Sequence, residues 1–124
     1  TIFLQVSFLY NFCILKKRRL LMAKVFLYVE YQISKDFETL NIEEINHAMK
    51  QNEGLISKTW LSGVNTKTLG GFYQFDSCEN AQKYIDTFLI PGKPTYGNLI
   101  VRLYNGEIVA TASKDMNSPY FTKA

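Results

Sequence analysis

The sequence predicts an α+β fold, with one antiparallel sheet and two helices on one of its faces. Three observations predict it. Apolar residues recur with period 2 over four short stretches and at helical spacing over two longer ones. The stretches run strand, helix, strand, strand, helix, strand. The middle two strands are joined by a loop of turn-forming residues, which makes them a hairpin.

"KVFLYVEYQI", residues 24–33, alternates Val25, Leu27, Val29, Tyr31 and Ile33 against Phe26, Tyr28, Glu30 and Gln32. This is a strand with one strongly apolar face, and Ser34-Lys35-Asp36 breaks it. Over residues 37–51 the period lengthens: Leu40, Ile42, Ile45, Ala48 and Met49 recur as on a helix, and Gly54 stops it. Residues 55–62 form a second strand, with Ile56, Lys58 and Trp60 on one face and Leu55, Ser57, Thr59 and Leu61 on the other. "SGVNTKT" turns the chain, and residues 69–75 return as the third strand.

"DSCE" starts the second helix, with Asp76 as the cap and Glu79 three residues on, as in a capping box. Ala81, Tyr84, Ile85, Phe88 and Leu89 then form one broad apolar stripe, which Pro91-Gly92 ends. "NLIVRLY", residues 98–104, is the fourth strand. Asn105-Gly106 is a tight-turn signal, so residues 107–112 are expected to pair back as a short fifth strand. The βαββαβ order is the ferredoxin-like arrangement. It leaves the other sheet face uncovered, with Phe26 and Tyr28 exposed, and such a patch asks for a partner. A homodimer, sheet against sheet, is the economical expectation.

A chain of 124 residues is long enough for one hydrophobic core. Its 47% apolar and 20% charged residues are the balance of a globular rather than a disordered protein. The net charge of +3 is unevenly spread. Residues 1–21 carry Lys16, Lys17, Arg18 and Arg19 and no acid, and setting these four aside leaves 10 basic residues against 11 acidic ones over 22–124. The argument for a nucleic-acid partner then disappears. In "TIFLQVSFLYNFCIL" followed by "KKRR" the charges come after the apolar run, the reverse of a secretory signal. Roughly 15 apolar residues also fall short of the ~20 that span a bilayer. Residues 1–21 are therefore read as upstream sequence ahead of a start at Met22, with 22–124 the single domain and no membrane partner unless that leader is real. Cys13 lies in the leader. The domain keeps one thiol, Cys78, near a helix N-terminus where thiol pKa values fall. A lone thiol makes no internal disulfide, which fits a reducing cytosol.

"GLISKTW", "LGGFYQFDS" and "ENAQKYIDTF" together resemble the YdhR-like monooxygenase family of the dimeric α+β barrel superfamily. Gly54, Lys58, Trp60, Gly70, Gly71, Tyr73, Phe75, Ala81 and Tyr84 match that family's pattern, and the likeness spans roughly residues 23–121. Family members often place a His, and soon after it an Arg, late in the second helix; here Phe88 and "LIPGKP" stand instead. The resemblance implies a homodimer whose sheets form a barrel, with an apolar pocket between sheet and helices in each subunit. Superfamily relatives include cofactor-independent oxygenases of phenolic or polyketide substrates and haem-degrading enzymes. A monooxygenase label that rests on fold is weak evidence for any one chemistry.

The residues themselves point away from the commoner chemistries. One histidine, His47, forms no evident triad and offers a poor start for a transition-metal or haem site. It falls about 200° round the helix from Ile45, on the solvated side. Gly70-Gly71 lies inside a hairpin strand, not between a strand and a helix, so it cradles no phosphate. What is left is an aromatic pocket with no cofactor. Trp60 and Tyr73, on neighbouring strands, are the candidate catalytic pair, since an indole N–H and a phenol O–H suit a developing phenolate or enolate oxygen. The substrate is a small aromatic or quinol-like molecule that supplies its own electrons to O2. Gly70 and Gly71 either make room for its ring or allow a bulge. Lys58 either pairs with an acidic group or snorkels to the sheet edge. Tyr31 faces the helices and can reach the pocket, while Phe75 and Tyr84 line it or fill the core. The rival class is a protein of the same fold that binds a ligand, or only pairs, without reaction.

Overall fold

The computed structural model describes residues 24–95 and 97–121; the readings made for residues 1–21 and Cys13 lie outside them. The elements are β1 (Val25–Gln32), α1 (Ile42–Lys50), β2 (Leu55–Ser62), β3 (Thr68–Phe75), α2 (Cys78–Tyr84), β4 (Gly97–Asn105) and α3 (Ala110–Asp115). The four strands form one sheet in the order β2-β3-β1-β4, and every neighbouring pair is antiparallel. This is the predicted ferredoxin-like α+β arrangement. Among the described residues no helix is long and apolar enough to cross a membrane.

The alternation in β1 fixes the register. Val25, Leu27 and Val29 stand opposite Phe75, Tyr73 and Gly71 of β3, and Leu27 and Val29 stand opposite Leu103 and Val101 of β4. These residues make one continuous inner face. Onto it α2 lays Ala81, Tyr84, Ile85 and Leu89, all essentially buried, and α1 adds Met49 and Ile45. The apolar stripe read from the second helix is therefore the main wall of the core. Its backbone is less regular than the stripe suggests: after Tyr84 it widens into a π-helical turn, Ile85–Leu89, and then tightens into a 3-10 segment, Ile90–Thr95.

Local side-chain chemistry moves several boundaries. Asn41 caps α1 by accepting from the Glu44 amide (3.2 Å), and its own amide donates to the Glu44 carboxylate (3.0 Å). The helix therefore runs 42–50, with a separate 3-10 turn at Phe37–Thr39, rather than 37–51. Ser77, not Asp76, caps α2 by accepting from the Asn80 amide (3.1 Å). Asp76 instead accepts from the Asn80 side chain (2.8 Å). Gly54 has φ +82° in the turn into β2, with Asp76 and Asn80 packed where a Cβ would stand. The register of β2 shifts between Leu55 and Ser57. This bulge puts Leu55 against the core, beside Lys58 and Trp60, and leaves Ile56 58% exposed, the reverse of the expected alternation.

Two further expectations fail. The predicted fifth strand is absent: Asn105 accepts from the amides of Glu107 (2.9 Å) and Ile108 (3.4 Å), which curls the chain into a turn. The helix α3 follows, in a stretch of good helix formers (Ala110, Ala112, Lys114). Cys78 is disulfide-bonded, not the free thiol that the sequence reading left in the domain.

The outer sheet face is also less bare than expected, because the chain's own C-terminal segment returns across it. Tyr120 and Phe121 meet the Phe26 ring edge-on at centroid distances of 5.6 and 5.7 Å, and Phe26 is only 6% exposed. The Lys24 ammonium donates to the Tyr120 carbonyl (2.6 Å) and sits 4.4 Å from the centre of the Phe121 ring. Phe121→Ala should therefore lower unfolding stability by about 3 kcal/mol in urea denaturation, as for loss of a buried ring. A loss below about 0.5 kcal/mol, the range of an ordinary surface change, would mean that the segment does not cover the sheet.

Candidate functional site

The site is built by strand register. Lys58 and Trp60 of β2 face the same side as Tyr73 and Gly71, which stand directly opposite them on β3. Trp60 and Tyr73 thus project to one face, and Lys58 lies between them. Its amine is 3.3 Å from the centre of the indole ring, 4.9 Å from the centre of the Tyr73 ring and 3.4 Å from the Met49 sulfur. Lys58 does not snorkel to the sheet edge. It turns inward, along the face that holds the core.

Gly71 makes this possible. A Cβ there would lie 2.5 Å from Lys58 Cε and 3.2 Å from the Tyr73 ring. The bare backbone therefore makes room for the lysine stem. Neither glycine marks a bulge, for the pairing with β1 and β2 runs through both without a shift. Gly70 faces the other way, and a side chain there would run into the Val29 carbonyl of β1.

The aromatic residues split by exposure. Trp60 is half-buried, with its ring edge-on to Phe37 at 5.7 Å and its Nε1–H donating to Asn46 Oδ1 of α1 (3.0 Å). Tyr73, Phe75 and Tyr84 are sealed in the core, each about 1% exposed or less, and the Tyr84 hydroxyl donates to the Tyr73 oxygen (3.0 Å). Tyr84 also stacks on Phe88 at 5.2 Å. Tyr31 lies one row along the inner face from Gly71, opposite Leu69, and packs against the same core. Lys58, Trp60, Tyr73 and Tyr84 are thus brought together, while Tyr31 and Phe75 line the interior on either side. His47 is exposed on α1, as expected. Asn46 and Met49 are the partners that sequence reasoning missed as polar contacts. Both lie on the turn of α1 that faces β2, a relation that no spacing within α1 reveals.

Burial pushes the Lys58 amine down from 10.5 to about 7, because a half-dry pocket solvates the ammonium poorly. The indole face returns part of the lost solvation, since a cation over Trp gains roughly 0.5–2 kcal/mol. Near neutral pH the group is therefore divided between a proton-accepting amine and a cation.

The sheet order and the helices on one face define the class: a ferredoxin-like α+β domain with a lysine–aromatic cluster on the inner face of its hairpin. Residues 25–95 match the family described as "Putative mono-oxygenase ydhR", and the chain belongs to that family. The match covers β1 through the helical segment after α2, and so contains every residue of the cluster. No curated protein matches the chain.

The folded pKa of Lys58 lies below its unfolded value, so between about pH 7 and 10.5 the unfolded chain binds a proton that the folded chain does not. Stability should therefore rise with pH through the lower part of that window. Melting temperatures from pH 6.5 to 9 should climb in the wild type, and Lys58→Met should flatten the climb and melt higher at pH 6.5. Gly71→Ala should fold, because the far end of a lysine can give way, but with a weaker pH dependence as the amine moves toward water. Identical pH slopes in all three proteins would contradict the assignment.

Proposed function

We propose that the protein is a cofactor-independent monooxygenase that oxidises a small phenolic or quinol-like ring with O2. The observation that carries the reading is the Lys58 amine, held 3.3 Å over the Trp60 indole and beside Tyr73 with its pKa lowered to about 7. Family membership supports the reaction class. Trp60, Phe37 and Asn46 are only partly buried, and on this reading the substrate comes to the amine from the β2–α1 side. A ring entering there stacks on the indole, and its acidic proton passes to Lys58 Nζ.

The resulting ammonium remains beside the oxyanion and stabilises it in a site that excludes most water. The electron-rich anion then reduces O2. For an anthrone-type substrate, one CH2 becomes C=O: the carbon loses four electrons, one oxygen atom enters the product and the other leaves as water with the two hydrogens. Because the indole N–H is engaged by Asn46, Trp60 serves as the platform, and the role first expected of that N–H passes to Lys58.

A second reading, binding without reaction, is favoured by the sealed Tyr73 and Tyr84 hydroxyls, which lie away from the approach. Oxygen uptake with a panel of phenols and anthrones separates the two. Turnover above the free-solution rate, slowed about 10²–10⁴-fold in Lys58→Met as for loss of a general base, supports the enzyme. Saturable binding with no oxygen consumed supports the binding protein. Turnover that Lys58→Met leaves unchanged would remove Lys58 from the mechanism.

A further inference from the structure

The contacts of the Lys58 amine are the Trp60 indole (3.3 Å to the ring centre), the Tyr73 ring (4.9 Å) and the Met49 sulfur (3.4 Å). None of these is an acid that holds a proton on the nitrogen. Lys58 and Trp60 are half-buried rather than sealed, unlike Tyr73 beneath them. Asn46 of α1 shares the same indole. Its Oδ1 accepts from the Trp60 Nε1–H (3.0 Å), which fixes the orientation of the amide and leaves its NH2 group as a pair of donors. Among the described residues nothing accepts from that NH2 group. One indole thus carries a nucleophilic nitrogen on its face and an uncommitted amide at its edge.

We propose that Lys58 is a carbonyl-capture site, whose amine condenses with a small uncharged aromatic aldehyde to form an imine seated on the Trp60 ring. The Nζ lone pair adds to the carbonyl carbon, and the carbinolamine then loses water as the C=N bond forms. Both N–H protons of the neutral amine leave with the carbonyl oxygen, and nothing is oxidised or reduced. Three features favour this guest. Burial penalises a charged nitrogen, so near neutral pH much of the amine is the unprotonated nucleophile, and the imine that replaces it has no charge to solvate. An aryl imine is flat and conjugated, so it lies over the indole as an offset stack where the ammonium stood. The Asn46 NH2 group is a donor for the carbonyl oxygen as it gains negative charge. The contacts around Nζ include no second cation, so an anionic aldehyde gains nothing there. This capture rests on the placement of Lys58 and not on the oxidation proposed above, which uses the same amine as a base.

The test is reductive trapping with benzaldehyde and cyanoborohydride on the full chain, at pH 7 under nitrogen, read by mapping the benzylated peptides. In the wild type Lys58 should be labelled at least about tenfold faster than any other lysine, as an activated amine. Its rate should level off as benzaldehyde is raised, the mark of a site that binds the aldehyde before reacting. Butanal, an aliphatic aldehyde, should show a smaller preference for Lys58 over the other lysines. Lys58→Met should lose the fast label and keep the slow ones. Labelling spread evenly over the lysines of the wild type overturns the proposal. So does a Lys58 rate that rises in proportion to benzaldehyde without levelling, or a preference equally strong with butanal. Trapping at Lys58 in a protein that consumes no oxygen with phenols or anthrones leaves this proposal standing while the oxidation falls; oxygen uptake without trapping does the reverse.

Discussion

An amine stands where the inner face of a sheet calls for an apolar side chain, and much of the architecture follows from accommodating it. Lys58 occupies a core-facing position of β2, in register with Tyr73. To keep its stem there the opposite strand gives up a side chain at Gly71, and α1 brings Met49 and Asn46 over the hairpin. The nitrogen itself settles on the indole, a surface that attracts a cation without being an acid, with the Tyr73 ring and the Met49 sulfur beside it. No carboxylate faces it in that contact set, so burial dominates and the proton is held weakly. In the proposed reaction such a lysine serves near neutral pH as both base and counter-ion.

The sheet separates two aromatic compartments of different character. On the helix side, Tyr73, Phe75 and Tyr84 form a closed core, their centroids 5.2–6.2 Å apart, with Lys58 and Trp60 beside it. On the far side, Phe26, Phe72, Tyr120 and Phe121 are rings gathered from three distant stretches of chain. The alternation of β3 sorts them: Tyr73 and Phe75 go one way and Phe72 the other, so the crowded "GGFYQF" stretch supplies both compartments at once. Period-2 geometry alone makes this division.

How much of this was legible in the sequence depended on how local its cause is. The alternation in β1 and the stripe Ala81, Tyr84, Ile85, Phe88 and Leu89 are strong periodic signals, and both lead to the observed core. That Trp60 and Tyr73 lie on neighbouring strands was legible, but the loop between them left the register open, and only the pairing of Lys58 with Tyr73 and of Trp60 with Gly71 puts both on one face. The Leu55–Ser57 bulge was not legible, since apolar residues on both sides of it, Leu55 and Ile56, fit either phase. The inward turn of Lys58 was not legible either, for it requires knowing that Gly71 and not Gly70 stands across from Trp60. The missing fifth strand has a clear local cause: "NGEIVATAS" has the apolar content of a strand, but the Asn105 side chain captures two amides and turns the chain before any pairing begins. The covering of Phe26 by Tyr120 and Phe121 joins residues more than ninety positions apart, and no periodicity reports such a contact.

The proposed chemistry depends on the proton affinity of one side chain, which can be read directly. With lysine Cε carbons labelled, the Lys58 signal, assigned by its absence from Lys58→Met, should titrate with a midpoint near 7 and move with the ring current of Trp60. A Lys58 midpoint at the ordinary lysine value of about 10.4 would mean that the amine stands in water, and the base, the platform and the reason for Gly71 would go with it.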